Sequence, residues 1–140
     1  MANKVYEYYN DTYTSYVYLV TGTPHFCANW MVENLHLNES ATQQIFDCKD
    51  CEGITMDLRN ADGGLFGNVI YMPKIDRTPE YVSTLMHELL HATVNILSPR
   101  GIKAEDSNGE TCCYLLGAMA THFLKECKLI TKPKTKRRKK

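Results

Sequence analysis

"TLMHELLHAT", residues 84–93, is the stretch on which the reading of this chain turns. Leu85, Met86, Leu89 and Leu90 have the spacing of a helix with one buried side. His87, Glu88 and His91 sit among them, where ionisable groups are costly to bury without partners. Four residues on an α-helix turn about 40° beyond a full turn and rise about 6 Å, so His87 and His91 leave the same face. Two imidazole nitrogens placed in this way can converge on one ion at about 2.0–2.1 Å each. Glu88, rotated by about 100° from His87, reaches a water held by such an ion more easily than the ion itself. This is the H-E-x-x-H arrangement, in which the glutamate is the general base of a metal hydrolase. The competing reading is a helix with two satisfied core histidines, since the pattern fixes only three residues.

Working outward, Thr78 can cap this helix and Pro79 suits its first position. Val82, Leu85, Met86, Leu89, Leu90, Thr93 and Leu97 form the expected buried face, and "SPRG", residues 98–101, ends it. A last helix is expected from near Ser107 through "ETCCYLLGAMATHFLKE". Upstream, "TYTSYVYLV", Thr12 to Val20, reads as a strand, and a helix from Thr23-Pro24 runs to about Leu37. "GITMDL" and "NVIYMPKI" are two further strands joined as a hairpin through "RNADGGLFG", with Pro73 confining the second to an edge or a strand end. The order is strand, helix, two strands, helix, helix, which predicts a small α+β domain.

Zinc needs a third protein ligand, with the fourth position left for water. The extended pattern H-E-x-x-H-x-x-G-x-x-H fails, because Val94 and Leu97 stand where its glycine and third histidine would be. The ligand must lie downstream, with Glu105, Asp106, Glu110 and His122 as candidates. Ser107-x-x-Glu110 is also a capping box, which would engage the same carboxylate elsewhere.

"HELLHATVNIL", then "RGI", then "EDSNGETCCYLLGAM" resembles the small gluzincin-type zinc metallopeptidase domains of phages and mobile elements, related to the ImmA/IrrE group. The likeness covers roughly residues 68 to 124. It implies a zincin-like domain over residues 1–131, with a short, mostly antiparallel sheet packed on the active-site helix plus a following helix. It also implies one zinc ion held by His87, His91 and a glutamate opening the next helix, which falls on Glu110. Glu88 would be the catalytic base in hydrolysis of a peptide bond. The chain has no recognisable helix-turn-helix or sensor domain, so the repressor-cleaving role of that group does not carry over. An extended peptide substrate is expected to pair with "NVIYM" as an edge strand.

The formal charge is zero but uneven. Seven of the last nine residues, "KPKTKRRKK", are Lys or Arg, and all 16 acidic residues precede them, so the body carries a formal −7. Residues 132–140 are expected to form a disordered basic tail, a solubilising end or a contact with nucleic acid or an acidic surface. The amino terminus has no signal-peptide pattern and no run is apolar enough to span a bilayer, so the expected setting is intracellular and reducing, which with the resemblance implies the cytoplasm of a bacterium or a phage-infected cell. In that reducing setting Cys48 and Cys51 are expected to be a turn with free thiols, and Cys27 and Cys127 small apolar residues. Two rival functions are a catalytically silent, metal-containing binding protein acting on a host protein, and a nucleic-acid-associated protein that uses the tail.

Overall fold

The computed structural model describes residues 2–48, 51–59 and 64–130. Its strands are β1 (Lys4–Asn10), β2 (Ser15–Thr21), β3 (Ile54–Arg59) and β4 (Leu65–Met72). Its helices are α1 (Pro24–Leu35), α2 (Gln43–Asp47), α3 (Pro79–Leu97) and α4 (Glu110–Glu126). The strands form one mixed sheet in the order β1-β2-β4-β3. β1 with β2 and β3 with β4 are antiparallel pairs, while the central β2–β4 pairing is parallel. The α+β class is as expected, and the sheet has a parallel seam that the strand count alone did not predict. The basic tail at 132–140 and the hairpin turn at 60–63 lie outside the described residues.

The tyrosine-rich start makes two strands where one was expected. Asn10 Oδ1 accepts a hydrogen bond from Tyr13 N at 3.0 Å, and Thr14 takes φ 46°. That local turn breaks the run, so β2 begins at Ser15 rather than Thr12, and β1 precedes it.

Both faces of the sheet are covered. Val17, Leu19, Ile70 and Met72 point to the core shared with α3 and α4. Val20, Val69 and Tyr71 point the other way, to Cys27, Ala28 and Met31 of α1 and Ile45 of α2. This double burial explains why "YVYLV" and "NVIYM" read as nearly continuous apolar runs. It also corrects the expected edge: β4 lies between β2 and β3, and Pro73 marks its end. The sheet's outer strands are β1 and β3. Gly67 makes the central seam possible, since a Cβ there would lie 2.6 Å from the Tyr16 carbonyl oxygen.

α3 begins as its sequence predicts, with Thr78 Oγ1 accepting from Tyr81 N at 3.2 Å and Pro79 in the first turn. It buries Tyr81, Leu85, Leu89, Ala92, Thr93, Ile96 and Leu97, together with Glu88. Leu90, expected inside, is 44% exposed, because it lies about 60° from His87 on the open side of the helix. α4 packs on α3 through Cys112, Leu115, Met119 and Phe123. It starts at Glu110 rather than Ser107, because Ser107 (φ 54°), Asn108 (φ 57°) and Gly109 (φ 78°) form a left-handed run ahead of it. Phe123 is fully buried, so Phe123→Ala is expected to destabilise the fold by about 3–5 kcal/mol. A loss of less than about 1 kcal/mol in urea unfolding would show that α4 is not part of the cooperative core.

Candidate functional site

Angular position on α3 sorts its side chains. Taking His87 as zero and about 100° per residue, Leu90, Val94, His87 and His91 fall within an arc of about 100°. All four are exposed. Tyr81, Leu85, Leu89, Ala92, Thr93 and Ile96 of the core lie outside that arc, between about 120° and 240°. Thr84, Glu88 and Asn95 fall between the two sets, on the flank that meets β3.

The His87 and His91 Nε2 atoms lie 3.0 Å apart, with ring centroids 4.7 Å apart and planes at 78°. A tetrahedral ion with bonds of about 2.0–2.1 Å would space two donors by about 3.3 Å. The pair therefore has the donor type and nearly the spacing that zinc requires.

Glu88 is 6% exposed and turns from the histidines towards β3. Thr55 Oγ1 donates to Glu88 Oε2 at 2.6 Å and lies 3.1 Å from the Glu88 carbonyl oxygen. No ion pair involves Glu88 among the described residues. A carboxylate buried with one hydroxyl donor and no ion pair contributes little to stability. Gly53 permits the close approach: a Cβ there would stand 3.1 Å from Glu88 Cγ and 3.3 Å from Thr84 Cγ2. Thr84 Oγ1 donates to Glu52 Oε2 at 2.9 Å, and Asn95 Nδ2 to the buried Asn68 Oδ1 at 2.8 Å. These bonds fasten both ends of the α3 flank to the chain around β3 and β4. Two depressions meet at Glu88. One, of about 460 Å³, holds Thr55, Asp57, His91 and Asn95, and the other, of about 330 Å³, holds Glu52, Thr84 and His87. Together they form a trough between α3 and β3.

The downstream candidates stand apart. Glu110 is exposed as the first residue of α4. The capping box does not form, because Gly109 occupies the cap position and no side chain caps the helix. Asp106 Oδ2 accepts from Lys103 N at 2.7 Å, which engages it in its own turn. His122 Nε2 lies 2.6 Å from the Glu7 carbonyl oxygen, its ring beside Tyr8 and Phe123, as a satisfied helix histidine. Among the described residues, no three His, Cys, Asp or Glu side chains gather closely enough to hold an ion. His87 and His91 supply two imidazole donors of the type zinc takes, at a separation that is also a hydrogen-bond distance, and Glu110, Glu105 and Asp106 are not brought to them.

Cys48 and Cys51 are joined by a disulfide, their Cα atoms 5.4 Å apart, which corrects the expectation of free thiols. That separation is within the usual disulfide range. Cys27 and Cys127 are buried, and burial pushes their thiols up to about 12 and about 11, so both stay protonated and apolar in character.

Thr55, Gly53 and Asn95 carry no motif, and only their placement against Glu88 identifies them. Thr55→Val keeps the shape and removes the donor. Under the peptidase reading that the resemblance implies, it is expected to lower kcat by about tenfold or more, the worth of one hydrogen bond to a charged group, with metal content unchanged and Thr55→Ser restoring the rate. Equal loss of metal and rate would mean that Thr55 serves the fold rather than Glu88.

Comparison of the chain with known protein families, characterised proteins and solved structures returned no match.

Proposed function

We propose that this chain is a zinc-dependent peptidase of the gluzincin type on a zincin-like α+β fold. The observation that carries the reading is the convergence of His87 and His91 Nε2 at 3.0 Å beside a buried Glu88 that faces an outer strand. His87, His91 and, from the resemblance, Glu110 would hold the ion. Glu110 has no capping duty to leave, and the exposed turn before it, Lys103–Asn108, is the segment that would carry it in. Metal binding commonly brings a site's ligands together.

When bound, zinc supplies a water with a pKa of about 7 and polarises the substrate carbonyl. Glu88 Oε2 is held by Thr55, which leaves Oε1 to take the proton from the attacking water and return it to the leaving amine. The outer edge of β3, rather than β4, is the proposed seat for an extended peptide, whose backbone would pair with it along the trough. Leu90 and Val94, exposed beside the histidines, would meet an apolar substrate side chain.

Among the described residues no helix is long and apolar enough to cross a membrane.

Elemental analysis of the purified full chain together with a peptide-library digest tests the proposal. About one zinc per chain, and cleavage products that require it, are expected. Glu110→Gln is expected to empty the site while Glu105→Gln and Asp106→Asn leave it filled. Zinc without cleavage would turn the reading to a metal-containing binding protein, and absence of bound zinc would end it.

A further inference from the structure

A further cavity, of about 390 Å³, lies beside the segment that leads into α3. Arg77 lines it from just before that helix, whose first residue, Pro79, lies about 12 Å along the axis from His87. Lys4 of β1, Lys74 from the segment after β4, and Lys128 just past α4 line it as well, with Glu126 as the one acid. Four of the nine cations in a body of formal charge −7 thus surround one hollow, and they come from three separate parts of the chain. Composition alone would not gather them.

The surroundings do little to neutralise them. Lys74 Nζ lies 3.8 Å from Asp76 Oδ2, but both side chains are largely exposed, and such a pair is worth little. Lys4 Nζ sits 5.1 Å from the centre of the Tyr6 ring. Tyr6 and Cys127 are buried and supply an uncharged wall, since burial holds the Cys127 thiol at about 11. Like charges around a hollow repel one another, and an anion placed among them relieves that repulsion. A lining of four cations against one acid matches a ligand carrying two to three negative charges. Arg offers a fork for two oxygens of a phosphate, and Lys a compact point charge. The hollow is at the small end of the size range for ligand pockets, which suits a compact anion rather than a polymer lying across a surface.

We propose that the cavity between Lys4, Lys74, Arg77 and Lys128 is a binding site for a small phosphorylated anion of the diphosphate class. It is separate from the histidine site and does not depend on that reading.

Calorimetric titration of the full chain with inorganic pyrophosphate at fixed ionic strength tests it. Binding with one-to-one stoichiometry is expected. Replacing Lys4 and Arg77 together by Gln is expected to weaken it by about tenfold or more, since each loses a charge-assisted bond. Lys128→Gln, at an exposed side chain, is a second variant expected to weaken it severalfold. Three controls are expected to bind as the parent does: Lys103→Gln with Lys125→Gln, a full-length chain with its seven tail cations changed to Gln, and His87→Ala. Absence of binding to the parent overturns the proposal, as does loss in the tail variant or in His87→Ala with the cavity variants unaffected. Tight binding of a single-stranded oligonucleotide that the Lys4/Arg77 variant leaves intact, without pyrophosphate binding, would assign the charge to nucleic acid and equally overturn it.

Discussion

Glu88→Gln is expected to cut peptide hydrolysis by about 10²–10⁴-fold, the usual contribution of a general base, while zinc content stays at the parent level. The amide has nearly the same shape and can still accept from Thr55 Oγ1, so the packing between α3 and β3 is preserved. It cannot take the proton. Thermal unfolding gives the prediction a second, independent reading. Among the described residues Glu88 is buried with one hydroxyl donor and no ion pair, so a neutral side chain there breaks no charge pairing. The midpoint is therefore expected to hold or rise as activity is lost, the trade expected where a site is maintained at the expense of stability. A variant that loses zinc would make Glu88 a ligand. One that keeps full activity would remove it from the chemistry altogether.

His87→Ala and His91→Ala are each expected to take zinc from about one per chain towards none, because each removes one of the three ligands proposed for it. Both side chains are exposed, so the stability of the metal-free protein is expected to move by no more than about 0.5 kcal/mol. Metal loss and folding are thus separable in the same samples, by elemental analysis and by circular dichroism after chelation. Full zinc content in both variants would sink the site, whatever their activity.

How far the sequence reached can be seen on α3. Its cap, its first-turn proline, its end and the shared face of the two histidines were all legible, because each follows from local geometry between residues a few positions apart. The burial of Glu88 and the exposure of Leu90 were not. Both depend on which flank of the helix meets β3, and β3 lies more than 20 residues upstream. The partnership of Thr55 with Glu88 spans 33 residues and leaves no periodic trace. The same limit hid the sheet order. "NVIYM" is a recognisable strand, but its place between β2 and β3 is set by a pairing partner about 50 residues away. At the start of α4, Ser107 and Glu110 have the spacing of a capping box, and the left-handed turn through Ser107, Asn108 and Gly109 overrides it. The glycine at position 109 was the available signal.

The parallel seam also sets an order of events in time. β1 with β2, and β3 with β4, are hairpins between neighbouring segments, and such pairs form in about 1–10 μs. The seam aligns Tyr16 with Gly67, so it closes a loop of about 50 residues that holds α1, α2 and β3, and its entropy must be met before the contacts reward it. Joining the two hairpins is therefore expected to be the slow step of folding. Any side chain added at Gly67 would obstruct that joining at the Tyr16 carbonyl, and the half-made protein would present two unpaired, strongly apolar strand edges to its neighbours. For this chain the hazard on the way to the native state lies at the middle of the sheet, in edges that the finished molecule no longer has.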